Sequence, residues 1–126
     1  MRPDNTTLMT MVLSLVLTPA ALASTWYVNG VSGNNSHNCP SPSTACKTIG
    51  HAISLASSGG TIKVAAAIYY EHLSVGRSLN LNGSGAMTTI IDGRCGGTVI
   101  TIANTAASVT LSNVTIRNGC AVRGRD

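Results

Sequence analysis

Ser108 to Gly119 reads SVTLSNVTIRNG, and it echoes two stretches earlier in the chain. Ser78-Leu79-Asn80-Leu81 matches Ser108-Val109-Thr110-Leu111 at a spacing of 30 residues, and Ile91-Asp92-Gly93 matches Ile116-Arg117-Asn118-Gly119 at a spacing of 25. Within each run apolar residues alternate with Thr, Asn or Ser, the period of a half-buried strand whose successive side chains face opposite ways. Self-similarity at such spacings marks a stacked repeat in which each unit buries its apolar face on the next.

The same alternation runs through Thr61-Ile62-Lys63-Val64, His72-Leu73-Ser74-Val75, Thr89 to Gly93 and Thr98 to Ile102, with Trp26-Tyr27-Val28 as a first strand ended by Asn29-Gly30. Short turns with Gly or Asn separate these runs. No helix intervenes between them, which excludes the βαβ units of a doubly wound sheet. An antiparallel sandwich would show similar short strands, but the hairpin dipeptides expected between its strands are mostly missing. Upstream, Gly33 to Ser43 is a polar, Pro-containing loop. Ile49, Ala52, Ile53 and Ala56 then form one apolar stripe at helical spacing, which predicts a helix from Thr48 to Ser58 ended by Gly59-Gly60.

The 126 residues allow one small domain. Aromatics make up 3%, Phe is absent, and Ser, Thr and Asn together number 39. Charged residues are 10%, against roughly 25% in ordinary soluble domains. That balance excludes a helical bundle, a coiled coil and a charged disordered tail. Arg2, the apolar run Leu8 to Leu17, Pro19 and Ala21-Leu22-Ala23 together read as an export signal over residues 1–23. The run is shorter than the about 20 residues a spanning helix needs, so no transmembrane helix is expected. From Ser24 onward seven Lys or Arg and three acids give +4. The basic residues are scattered and do not alternate with aromatics, which argues against a nucleic-acid partner.

Cys46 to Gly119 resembles the opening of right-handed parallel β-helix proteins of the pectin-lyase-like superfamily. The resemblance is carried by Thr48-Ile49, Ala52-Ile53, Ala56, Gly60-Thr61-Ile62, Val64, Tyr69, Glu71, Leu73, Val75, Leu79, Leu81, Gly83, Thr89 and Ile91-Asp92-Gly93. SVTLSNVTIRNG is similar to coils of polymorphic outer-membrane-type surface proteins. Ala67 stands where that pattern usually has Gly, before the Tyr-x-Glu element. The resemblance implies an all-β fold: a right-handed parallel β-helix of about two to three coils with an N-terminal capping helix. It divides the chain into a signal peptide (1–23), a strand, loop and capping helix (24–60) and β-helix coils (61–126). With so few coils, and no capping element in Arg123-Gly124-Arg125-Asp126, the expectation is a fragment of a longer solenoid.

Enzymes of the superfamily need paired carboxylates, or a carboxylate cluster for Ca²⁺ with a basic residue. The exported chain offers only Glu71, Asp92 and Asp126, at spacings that suggest no pair. Glu71 reads as a structural residue of the Tyr-x-Glu element and Asp92 as a turn residue. Neither a catalytic residue nor a cofactor is therefore expected. His37, Cys39, Cys46 and His51 allow a zinc site, but in an exported chain a Cys39–Cys46 disulfide is the favoured reading, with no metal. Cys95 and Cys120 each follow an aligned Ile by four residues. If the repeats are successive coils, the two stack at about 4.8 Å and form a second disulfide; two free thiols in an apolar ladder is the competing reading. Asn34-Asn35-Ser36, Asn82-Gly83-Ser84 and Asn113-Val114-Thr115 fit the N-glycosylation pattern, which counts only in a eukaryotic secretory pathway.

Two functions follow. The first is a non-enzymatic exported surface module, secreted or at the cell surface, used for adhesion or glycan binding, its partner a polysaccharide or cell-surface glycan. The alternative is the N-terminal part of a polysaccharide-modifying enzyme, pectin esterase-like or lyase-like, with its catalytic coils outside this chain.

Overall fold

The computed structural model describes residues 24–106 and 108–121. The export signal expected at residues 1–23 and the stretch Arg123 to Asp126 lie outside the described residues. Among the described residues the regular structure is mostly β-strand, with one α-helix. The strands are β1 (Thr25–Val28), β2 (Gly60–Val64), β3 (Ala67–Tyr70), β4 (Leu73–Val75), β5 (Leu79–Gly83), β6 (Thr89–Asp92), β7 (Ile100–Ile102), β8 (Val109–Ser112) and β9 (Thr115–Arg117). The helix α1 (Ile49–Leu55) follows a 3₁₀ turn at Pro42–Thr44.

Every strand pairing among the described residues is parallel, which excludes the antiparallel sandwich. The sheets have the orders β1-β2-β5-β8, β3-β6-β9 and β4-β7. From β2 onward the chain visits the three sheets in a fixed rotation. Both sequence echoes return as strand registers: Leu79, Asn80 and Leu81 lie opposite Val109, Thr110 and Leu111, and Ile91 lies opposite Ile116.

Register converts the period-2 alternation into rows. Ile62, Leu81 and Leu111 form an inner row in the four-stranded sheet, and Tyr69, Ile91 and Ile116 form one in the three-stranded sheet. Ile62 and Ile91 are fully buried, and Leu81 and Tyr69 nearly so. Thr61, Asn80 and Thr110 occupy the alternate, outward positions, as the pleat requires. Gly60 begins β2 because the Trp26 indole lies over it: a Cβ there would sit 2.3 Å from the ring. On the far side of β1, Tyr27 N–H donates to Cys39 O and Cys46 N–H donates to Tyr27 O, at 2.9 Å each. The loop backbone thus covers an edge that would otherwise be open to pairing.

Three local expectations need correction. The helix ends at Leu55 rather than Ser58. Ala56 turns extended (ψ 141°) while its N–H still bonds the carbonyls of Ala52 and Ile53. The apolar stripe is spent at Ala56, and Ser57 and Ser58 are exposed residues that favour turns over helix; Gly60 already belongs to β2. Ser108 to Gly119 is two strands, because Asn113 takes φ 57° and swings the chain into another sheet. Ala67–Tyr70, which no alternation of apolar and polar residues marks, is β3.

Adjacent positions on β2 should separate core from surface. Ile62→Ala should cost about 2–5 kcal/mol, as cavity-forming core truncations do, and Lys63→Ala less than about 0.5 kcal/mol. Urea unfolding of the two variants checks this; similar losses at both positions would contradict the inner and outer rows.

Candidate functional site

Both described acids are engaged in structural bonds. Glu71 follows β3, and its carboxylate accepts from the backbone N–H of Ile49 and of Gly50 at 2.8 Å each. These are the first two amides of α1, which have no partner inside the helix. Thr48 accepts from His51 N–H at 3.2 Å, satisfying the third. Beyond β4, the Arg77 guanidinium donates to Ala56 O at the other end of α1. Anion at the N-terminus and cation at the C-terminus both match the helix dipole. Next to Glu71, Tyr69 accepts from Gly30 N–H at 3.0 Å and donates to Ala65 O at 2.8 Å. Burial raises its phenol pKa, against the Gly30 hydrogen bond, so Tyr69 stays a neutral donor.

Asp92, at the end of β6, sits under β9. Its Oδ2 accepts from Arg117 Nε at 2.8 Å, Asn118 Nδ2 reaches both oxygens at 3.0 and 3.1 Å, and Oδ1 accepts from Arg94 N–H at 2.8 Å. The Arg117 hydrogen bond, then those from Arg94 and Asn118, lower its pKa to about 2. Neither carboxylate stands free beside the other, as hydrolytic or lyase chemistry would require.

The cysteines pair as Cys39–Cys46 and Cys95–Cys120, with Cα separations of 5.1 and 4.6 Å. With Cys39 and Cys46 joined, the set His37, Cys39, Cys46 and His51 has no thiolates to offer zinc. His37 Nδ1 lies 3.2 Å from Ala45 O, and His51 Nε2 lies 3.4 Å from His37 O. Among the described residues no group of three or more His, Cys, Asp or Glu is placed to hold a metal ion, and no helix is long and apolar enough to cross a membrane.

One surface cleft, of about 260 Å³, lies on the outer face of the four-stranded sheet; a second, of about 680 Å³, is lined mainly by apolar and backbone groups of β7 to β9 and the residues that follow. Tyr27, Lys63 and Asn82, one residue from each of β1, β2 and β5, stand opposite one another in register and line the first cleft together with Asn29, Ser84 and Pro42. The Asn82 carbonyl oxygen already accepts from Asn113 Nδ2 at 2.7 Å and Ser112 Oγ at 3.2 Å. These bonds fix the amide so that its NH₂ is the group left to donate. Lys63 is exposed and belongs to no ion pair among the described residues. The row thus combines an aromatic ring, an ammonium and an amide donor. Sequence reasoning missed it because its members are 36 and 19 residues apart and share no motif; only the strand register joins them.

Acid titration should expose the Asp92 clasp. Its folded-state pKa lies below the ordinary 3.8, so its stabilisation is complete above about pH 4 and is lost as pH falls towards about 2. Asp92→Asn should flatten the stability–pH curve between those limits, read as urea midpoints. An unchanged acid slope in the variant would rule the clasp out as its source. At the helix, Glu71→Ala should cost about 1–3 kcal/mol by stranding two amides, which the same unfolding measurement reads. A scan against family models and searches of curated proteins and of solved structures found no match to this chain.

Proposed function

We propose that the chain belongs to an exported, non-enzymatic surface module built as a right-handed parallel β-helix, and that it binds saccharide on its outer face. The rotation of the chain through three parallel sheets supports the β-helical reading, as does the near-universal right hand of parallel crossovers. Two disulfides are compatible with an extracellular location. The observation that carries the function is the division of labour among polar groups. Glu71 and Asp92 are consumed in holding α1 and β9, while the hydroxyls, amides, Tyr27 and Lys63 of the outer rows stay at the surface.

Saccharides suit such a face. A sugar ring stacks its C–H face on an aromatic side chain, and its hydroxyls exchange hydrogen bonds with amides and hydroxyls held rigidly by a sheet. Parallel strands repeat those groups about every 4.8 Å, which a flexible loop would not.

Affinity electrophoresis of the purified chain against a panel of polysaccharides should show retardation by at least one. Tyr27→Ala and Lys63→Ala should each weaken it about tenfold, the worth of one stacking contact or one charge-assisted hydrogen bond. Retardation by none of the panel, or turnover of pectin by the purified chain, would refute the reading.

A further inference from the structure

The two disulfides have opposite surroundings. Cys39 and Cys46 are both 0% exposed, and their backbones are paired with β1. Cys95 lies in the exposed corner Arg94-Cys95-Gly96, while its partner Cys120 is half-buried. The approach to that corner is open on the Gly97 side, where a Cβ would meet nothing within 4 Å, while the His72 imidazole flanks Gly96, its Nε2 3.0 Å from where a Cβ would sit. The corner is also cationic on one side: Arg94 precedes Cys95, lies 3.6 Å above the Tyr70 ring and belongs to no ion pair among the described residues.

From this contrast we propose that Cys95–Cys120 is a thiol-exchange site for low-molecular-weight thiols, whereas Cys39–Cys46 is inert in the folded protein. An incoming thiolate attacks Sγ of Cys95, the more exposed of the two residues. The Cys95–Cys120 bond breaks, a bond forms between Cys95 and the incoming sulfur, and Cys120 leaves as a thiolate that takes a proton from water. One disulfide replaces another, so no external oxidant is required. Positive charge at Arg94 favours the approach of an anionic nucleophile.

The fold tolerates this exchange because the bridge is not all that joins β6 to β9. Gly93 N–H donates to Arg117 O at 3.0 Å, Cys95 N–H to Asn118 O at 2.8 Å, and the Asp92 carboxylate holds Arg117 and Asn118 from below. Opening Cys39–Cys46 instead requires β1 and the loop to separate first.

The test is exposure of the native, oxidised chain to reduced glutathione in mildly alkaline buffer, with acid quenching and mass mapping of non-reduced peptides. The expected product carries glutathione on Cys95, a free thiol on Cys120 and an intact Cys39–Cys46 bridge, with the first bridge opening about tenfold faster or more. Equal rates at the two bridges, glutathione chiefly on Cys120, or reaction only in urea would overturn the proposal. Cys120→Ser gives an independent reading. Its Cys95 should be alkylated by iodoacetamide without denaturant, and a Cys95 that reacts only after unfolding would also overturn it.

Discussion

Parallel register is the constraint on which everything else here depends. A strand that pairs in parallel with its predecessor places each residue beside the one that held the same role a turn of the chain earlier. In the four-stranded sheet inward apolar residues then stack on apolar ones, and outward Thr, Asn and Ser on one another. A slip of one residue would send Leu79 and Leu81 outward and Asn80 and Asn82 into the core. With charged residues so few, it is this exchange of faces, rather than ion pairing, that selects the register. The same ordering sets Tyr27 beside Lys63 and Lys63 beside Asn82 without any local motif to do so.

A helix of seven residues is too short to be stable alone, since its nucleation cost is not recovered over so few turns. It persists because the strand region supplies both of its end partners. Glu71 and Arg77 flank β4 on either side, and their charges meet the N-terminal amides of α1 and the carbonyl of Ala56, the residue that caps its C-terminus. The buried stripe of Ile49, Ala52 and Ile53 then lies against the strands. Helix and sheet are therefore one cooperative unit.

Much of this was legible in the sequence, and the failures have physical causes. The spacings of 30 and 25 residues were visible because stacked positions share one chemical environment. The strand Ala67–Tyr70 was hidden because Ala65-Ala66-Ala67 shows no contrast between faces. The corner at Asn113 did leave a mark, the consecutive polar pair Ser112-Asn113 that interrupts the alternation between Leu111 and Val114; Asn is the side chain that most readily tolerates a left-handed backbone. The bond from Glu71 to α1 spans 22 residues and follows no periodicity, so only the folded chain shows it. The cleft residues were illegible for the same reason.

Strand pairing also has a consequence in time. Among the described residues no two neighbouring strands are joined by a hairpin: Gly60 pairs with Leu79, Ala67 with Thr89, Leu73 with Ile100 and Thr25 with Thr61. The shortest of these closures spans 19 residues, so sheet formation begins only after a long loop has closed and its entropy has been lost. Among the described residues the short helix, the 3₁₀ turn and the small Cys39–Cys46 ring can form locally. Such non-local topologies fold on the order of milliseconds to seconds rather than microseconds. During that interval the Val-, Ile- and Leu-rich strands are exposed, and their interspersed Asn, Thr and Ser residues are what reduces sticking between unfolded copies of the chain.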